Sequence, residues 1–201
     1  MTQSRVINVL ALALALIPAI RAVDLPRKSQ DFTIQMNNGR PLQLSQYRGK
    51  AVVLAFILTT CPHCQKAVAY LSKDSAEFAP RGLQVLAAAL EPGAAQNVPV
   101  FIRRFNPSFP VGFDSDPNAV WDYMQHPRAV IPHMPMLVFI DKDGIIRAQF
   151  EGDSPALEDN AMEETLRKQI DDLLKGPAAP KTVARKTAPV PPAAPKKTPF
   201  L

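Results

Sequence analysis

The only two cysteines in the chain, Cys61 and Cys64, stand two residues apart in Cys61-Pro62-His63-Cys64. Two thiols at that spacing can cycle between dithiol and disulfide, bind a soft metal, or lie inert in a core. Cycling requires a thiolate, because the thiolate is the nucleophile in disulfide exchange. The surrounding sequence supplies the means. An apolar run from Ala51 to Leu58 ends just before the motif, and a helical stretch follows it. At such a junction the helix N-terminus offers unpaired N–H groups and a partial positive charge, and both favour a negative sulfur. Cys61 is expected at the exposed rim of that helix and Cys64 one turn in, better shielded. Pro62 falls where a missing N–H costs least. His63, when protonated, adds positive charge beside Cys61. Cys61 is therefore the expected attacking sulfur, and Cys64 the one that resolves the mixed disulfide.

The other uses of the pair fit less well. A structural disulfide across a two-residue spacer closes a tiny loop and restrains the unfolded chain little. A zinc site needs about four ligands, and beyond His63 the chain offers only His126 and His133 as histidines. No metal site is expected, and no cofactor beyond a redox-active Cys61–Cys64 disulfide. A copper- or zinc-binding chaperone using the same two sulfurs is kept as a competing function.

The elements that must hold these residues can be read from pattern. Residues 32–36 and 41–44 flank Asn37-Asn38-Gly39, which signals a hairpin. Residues 51–58 and 83–90 read as strands buried on both faces, joined by a helix to about Phe78. Residues 97–105 look helical, with Pro99 in the first turn. A short extended piece lies within 107–112, and Asp116 caps a helix over 117–124. Met136 to Ile140 is a third apolar strand. Asp141-Lys142-Asp143-Gly144 then turns it into a strand over 145–150, and residues 157–174 form an amphipathic helix. The order hairpin, β, α, β, α, β-hairpin, α implies an α/β fold with a central mixed sheet flanked by helices and an N-terminal β-hairpin extension.

The two ends differ from this middle. Arg5 precedes a run from Val6 to Ile20 that is apolar except for Asn8. That length suits a signal peptide (residues 1–22) better than a membrane span, with an uncleaved N-terminal anchor as the alternative. Residues 23–30 read as linker and 31–175 as the folded domain. From residue 176 to 201 the chain is rich in Pro, Ala and Lys and is expected to be a disordered tail. The net charge is +5, but the two ends hold seven of the 23 basic residues and none of the 18 acids. The middle is slightly acidic, so nucleic-acid binding is not expected. The N-terminal segment and the basic tail are candidate contacts with membrane or envelope surfaces. A periplasmic or other extracytoplasmic location follows from the leader, which also permits disulfides.

From about Asp31 to Leu174 the chain resembles the thioredoxin superfamily, and within it the exported TlpA/ResA-like redoxins of AhpC/TSA type. The resemblance rests on Leu44-Ser45-Gln46-Tyr47-Arg48-Gly49-Lys50, on Ala51 to Phe56 running into the CPHC motif, and on His133-Met134-Pro135-Met136 to Asp141 with the Asp143-Gly144 turn. It implies a thioredoxin-like fold and thiol–disulfide oxidoreductase activity on exported proteins. It implies a cis Pro135 facing the cysteines and a Met134 backbone that pairs with an extended substrate segment. His133 is a weaker substrate-contact candidate. A glutamate at the end of the second buried strand in such proteins matches Glu91, which would accept the Cys64 proton. The alternative, a loop carboxylate ahead of Pro92-Gly93, stays open. The implied partners are protein thiols or disulfides and an electron donor or acceptor protein, with the chain itself monomeric.

Two departures bear on function. Thr60 stands where the family usually has Trp before the first cysteine, and Val130 and His133 replace glycines of the cytochrome-c-maturation subgroup. A peroxiredoxin-like thiol peroxidase is the main alternative activity. Against it, Leu58 occupies the place of the threonine that peroxiredoxins carry three residues before their reactive cysteine. His126 reads as a surface loop residue.

Overall fold

The structure is a computed structural model that describes residues 23–114 and 116–176. The expected leader, and all of the expected tail except Gly176, lie outside the described residues. A six-stranded sheet has the order β1-β8-β7-β4-β5-β6, built from β1 (Arg27–Lys28), β8 (Ile145–Phe150), β7 (Met136–Ile140), β4 (Ala51–Ile57), β5 (Leu83–Ala89) and β6 (Val111–Phe113). β4, β5 and β6 run parallel, whereas β7 is antiparallel to β4 and β8, and β8 to β1. The sheet is thus mixed, as expected. The hairpin β2 (Thr33–Ile34) and β3 (Leu42–Gln43) forms a separate pair.

Every residue of β4 is buried, which explains its unbroken apolar sequence. Its side chains alternate between two cores. Val53, Ala55 and Ile57 join the core formed with α1 (Pro62–Phe78), α2 (Ala94–Phe105) and α4 (Met162–Lys175). Val52, Leu54 and Phe56 join the core formed with α3 (Pro117–Met124) and the hairpin. Helices therefore cover both faces. Gly144 takes φ +78° in the β7–β8 turn, a conformation that a side chain would disfavour.

The structure corrects four sequence expectations. The stretch 23–30, read as linker, contributes β1 through Arg27 opposite Ile146. Two residues carry too little pattern to signal a strand. α2 begins at Ala94 rather than at residue 97, which places Pro99 inside the helix. The Ala95 carbonyl, the natural acceptor for residue 99, is met instead by the Asn37 side-chain amide. α4 begins at Met162, because Pro155–Leu157 forms a separate 3-10 turn that buries Leu157. Finally, His126 is buried rather than exposed, for reasons given below.

α4 runs parallel to α1, and ion pairs follow the two helices in step. They join Lys66 to Asp159, Lys73 to Glu163, Asp74 and Glu77 to Arg167, and Arg81 to Asp171. At the other edge, β1 aligns with the row Val52–Ile140–Ile146, where β4 begins.

Candidate functional site

β4 ends at Ile57, and residues 58–60 lead to Cys61, the N-cap of α1. The turn is closed by the Cys61 amide donating to the Leu58 carbonyl at 3.2 Å. Pro62 occupies the first helical position. The Cys61 sulfur accepts from the Cys64 amide at 3.3 Å, as a capping oxygen would. A negative sulfur at this place is met by that amide and by the positive end of the helix dipole. Cys61 is half-buried, while Cys64 is completely buried in the core under α1. Burial pushes the Cys64 thiol far up from its ordinary range, and the neighbouring Cys61 and Glu91 add to that, against a hydrogen bond from the Leu58 amide. The pair is thus split into an accessible sulfur and a protonated, shielded one.

His63 lies in the first turn of α1 with its Nε2 2.7 Å from the Leu157 carbonyl. A carbonyl only accepts, so Nε2 donates. The ring ties the helix start to the 3-10 turn before α4.

Glu91 sits just past the end of β5, and the parallel register Ile57 opposite Ala89 brings Thr59 alongside it. The Thr59 amide donates to both Glu91 carboxylate oxygens at 3.2 Å, and the Thr59 hydroxyl donates as well. Asn97, from α2, adds its amide at 3.3 Å. Glu91 reaches Cys64 through its charge. Thr59 and Asn97 were not legible as site residues. The available signal was that strands 51–57 and 83–89, if parallel and in register, must bring their following loops together.

The Met134–Pro135 peptide is cis, as the resemblance implied. Phe56 pairs with Met136, so Pro135 falls level with Ile57, at the end of β4 that leads to Cys61. Pro135 is buried, and Met134, half-buried, packs against the same core as Cys61. The His133 carbonyl accepts from the Gly152 amide at 2.8 Å. A Cβ on Gly152 would come within 2.3 Å of the Met134 carbonyl oxygen, so the glycine permits this close approach. The His133 ring is exposed and lies 3.4 Å from the Asp153 carboxylate. The structure places Cys61, Pro62, His63, Cys64, Glu91, Met134 and Pro135 at one end of the sheet. His133 points its ring toward Asp153. Among the described residues, no group of three or more His, Cys, Asp or Glu side chains is arranged to hold a metal ion.

The chain is similar to known thiol–disulfide oxidoreductases. A family model described as the AhpC/TSA family matches residues 26–149. The thiol–disulfide oxidoreductase ResA of Bacillus thuringiensis is 26% identical over 73% of this chain and 79% of its own. ResA of Geobacillus thermodenitrificans is 30% identical over 65% of this chain and 71% of its own. A Chlorobium tepidum chain assigned as thiol:disulfide interchange protein DsbE superposes with a TM-score of 0.63 at 26% identity, covering 76% of this chain and 99% of that one.

Proposed function

The chain belongs to the AhpC/TSA family and is a thiol–disulfide oxidoreductase of thioredoxin fold, and from that premise we propose that it exchanges disulfides with exported polypeptides through Cys61 and Cys64. The Cys61 thiolate attacks one sulfur of a substrate disulfide, forming a mixed disulfide and expelling the other substrate sulfur as a thiolate, which takes up a proton. Cys64 then gives its proton to Glu91 and attacks the Cys61 sulfur. The second substrate sulfur leaves as a thiolate and takes up the proton that Glu91 releases, and the protein holds the Cys61–Cys64 disulfide. Two electrons have passed from protein to substrate, and the reverse sequence oxidises a dithiol. No cofactor is needed beyond the protein's own sulfurs.

Each side chain has a part in this reading. Pro62 starts the helix whose N-terminus stabilises Cys61. His63 fixes that first turn against Leu157 and adds positive charge when protonated. The Met134 backbone pairs with an extended substrate strand beside Pro135, and the exposed His133 ring lies at its margin. The protein works outside the cytoplasm, as a monomer supplied or drained of electrons by a partner protein. Residues 1–22 direct export or anchor the chain, and the basic tail is a solvated segment, with contact to anionic envelope surfaces as the second reading. No helix among the described residues is long and apolar enough to cross a membrane.

One observation carries the proposal: the half-buried Cys61 sulfur caps the helix by accepting from the amide of Cys64, whose own sulfur is fully buried. The test is insulin reduction driven by dithiothreitol. The Cys61→Ser protein is expected to add nothing to the uncatalysed rate, and catalysis undiminished by that change overturns the assignment.

A further inference from the structure

Residues 127–134, between α3 and β7, form neither helix nor strand, yet they deliver Met134 and Pro135 to the thiol end of the sheet. Something must fix them. Arg128 ties the start of the loop to Asn118 and Asp122 on α3, and the stretch nearer Met134 is held from two adjacent residues just past β8. Gly152 holds the far end of the loop by donating to the His133 carbonyl at 2.8 Å. Glu151 holds the near end through His126. The His126 side chain is only 4% exposed, with Nδ1 2.8 Å from a Glu151 carboxylate oxygen and Nε2 3.0 Å from the Val130 carbonyl. The Val130 carbonyl can only accept, so Nε2 donates to it, and the Nδ1 edge faces the Glu151 carboxylate. The His126 ring is thus bonded at both edges. Trp121 packs against it edge to face, with ring centroids 6.1 Å apart.

We infer that His126, oriented by Glu151, is a positioning residue for protein substrates: it clamps the loop that presents the Met134 backbone. The inference rests on the reading that substrate pairs with Met134. His126 bonds to the loop and to Glu151, and no hydrogen bond joins it to Cys61, Cys64 or Glu91 among the described contacts. Its loss should therefore weaken docking of a polypeptide and leave the sulfurs' own chemistry intact. The outer wall of the same loop carries Val130 and Ile131, the latter 87% exposed. A loosened loop would move these apolar groups together with the docking backbone.

The experiment compares His126→Gln, Glu151→Ala and Glu151→Gln on the full chain. Two substrates are used: insulin disulfides with dithiothreitol as reductant, and the small disulfide DTNB, which needs no strand pairing. His126→Gln and Glu151→Ala should raise KM for insulin about ten-fold, the loss expected for a charge-assisted hydrogen bond, with kcat unchanged. The rate with DTNB and the reduction potential should match the parent protein. Glu151→Gln can still bond to Nδ1, so it should restore KM to near the parent value. An unchanged insulin KM in both disrupting variants, or an equal loss with DTNB, overturns the inference. Should His126→Gln fail to fold, the Glu151 pair alone decides between these outcomes. The Cys61→Ser protein keeps the two levels apart: activity surviving there removes the underlying reading, whereas activity lost there with normal KM in the Glu151 variants removes only this inference.

Discussion

Glu91 can act as an anchored carboxylate or as a proton acceptor, and the two parts lead to different kinetics. As an anchored carboxylate it satisfies Thr59 and Asn97 and contributes structure. As proton acceptor it permits the buried Cys64 thiol to ionise when the mixed disulfide needs resolving. Glu91→Gln keeps most of the hydrogen bonding but removes the basic oxygen and the charge. We expect the Cys61-linked adduct to persist, with resolution slowed about 100-fold, the usual scale for a lost general base. Rapid-quench mass spectrometry of the adduct measures this, and a parent-like resolution rate would leave Glu91 a purely structural group. Glu91 entered the candidate site through the family resemblance, with a plain loop carboxylate as the alternative. Its partners were not legible, because Thr59 lies 32 residues away and their meeting depends on strand register. His126 was misread for the same kind of reason. A histidine between a helix end and a proline looks solvent-exposed until Glu151, 25 residues on, is seen to cover it.

The elements divide by how much of their signal is local. β4, β5 and β7 emerged with nearly correct bounds because strands buried on both faces leave continuous apolar runs. The starts of α2 and α4 were misplaced because both depend on tertiary contacts, Asn37 compensating for Pro99 and Leu157 docking as a separate turn. The packing of α4 on α1 relies on a pair that no local pattern reveals. Asp74 is almost fully buried, and Arg167 bonds one of its oxygens at 2.8 Å. Burial raises the Asp74 carboxyl above its ordinary pKa, and Arg167 pulls it back. Arg167→Leu strands that carboxylate, and should cost about 3 kcal/mol at neutral pH. The loss should shrink in acid, where Asp74 takes up a proton. Urea unfolding at pH 7 and at pH 4 checks both statements.

Two buried acids make the whole molecule sensitive to alkali. The Cys64 thiol is pushed well above its ordinary range, and the Tyr123 phenol, bonded to Ser29 and enclosed by Phe32 and Phe56, is pushed up to about 12. Above pH ~9 an unfolded chain loses its thiol proton and above ~10 its phenol proton, while the folded chain keeps both. The folded state then binds more protons, so the stability these groups lend is complete below those values and falls as pH rises. Reduced protein should lose about 1.4 kcal/mol per pH unit for each group while the mismatch lasts. Cys64→Ala should flatten the decline from pH 9, and Tyr123→Phe the part between 10 and 12, in unfolding curves recorded across that range. Slopes identical to the parent protein would contradict the burial argument.

The C-terminal end of α4 has a consequence for how the protein can be held. α4, parallel to α1, finishes beside Arg81, at the pole where β4 begins. Cys61 stands at the opposite pole. A copy held by the end of α4 therefore keeps its reactive face turned outward and meets its clients without having to reorient.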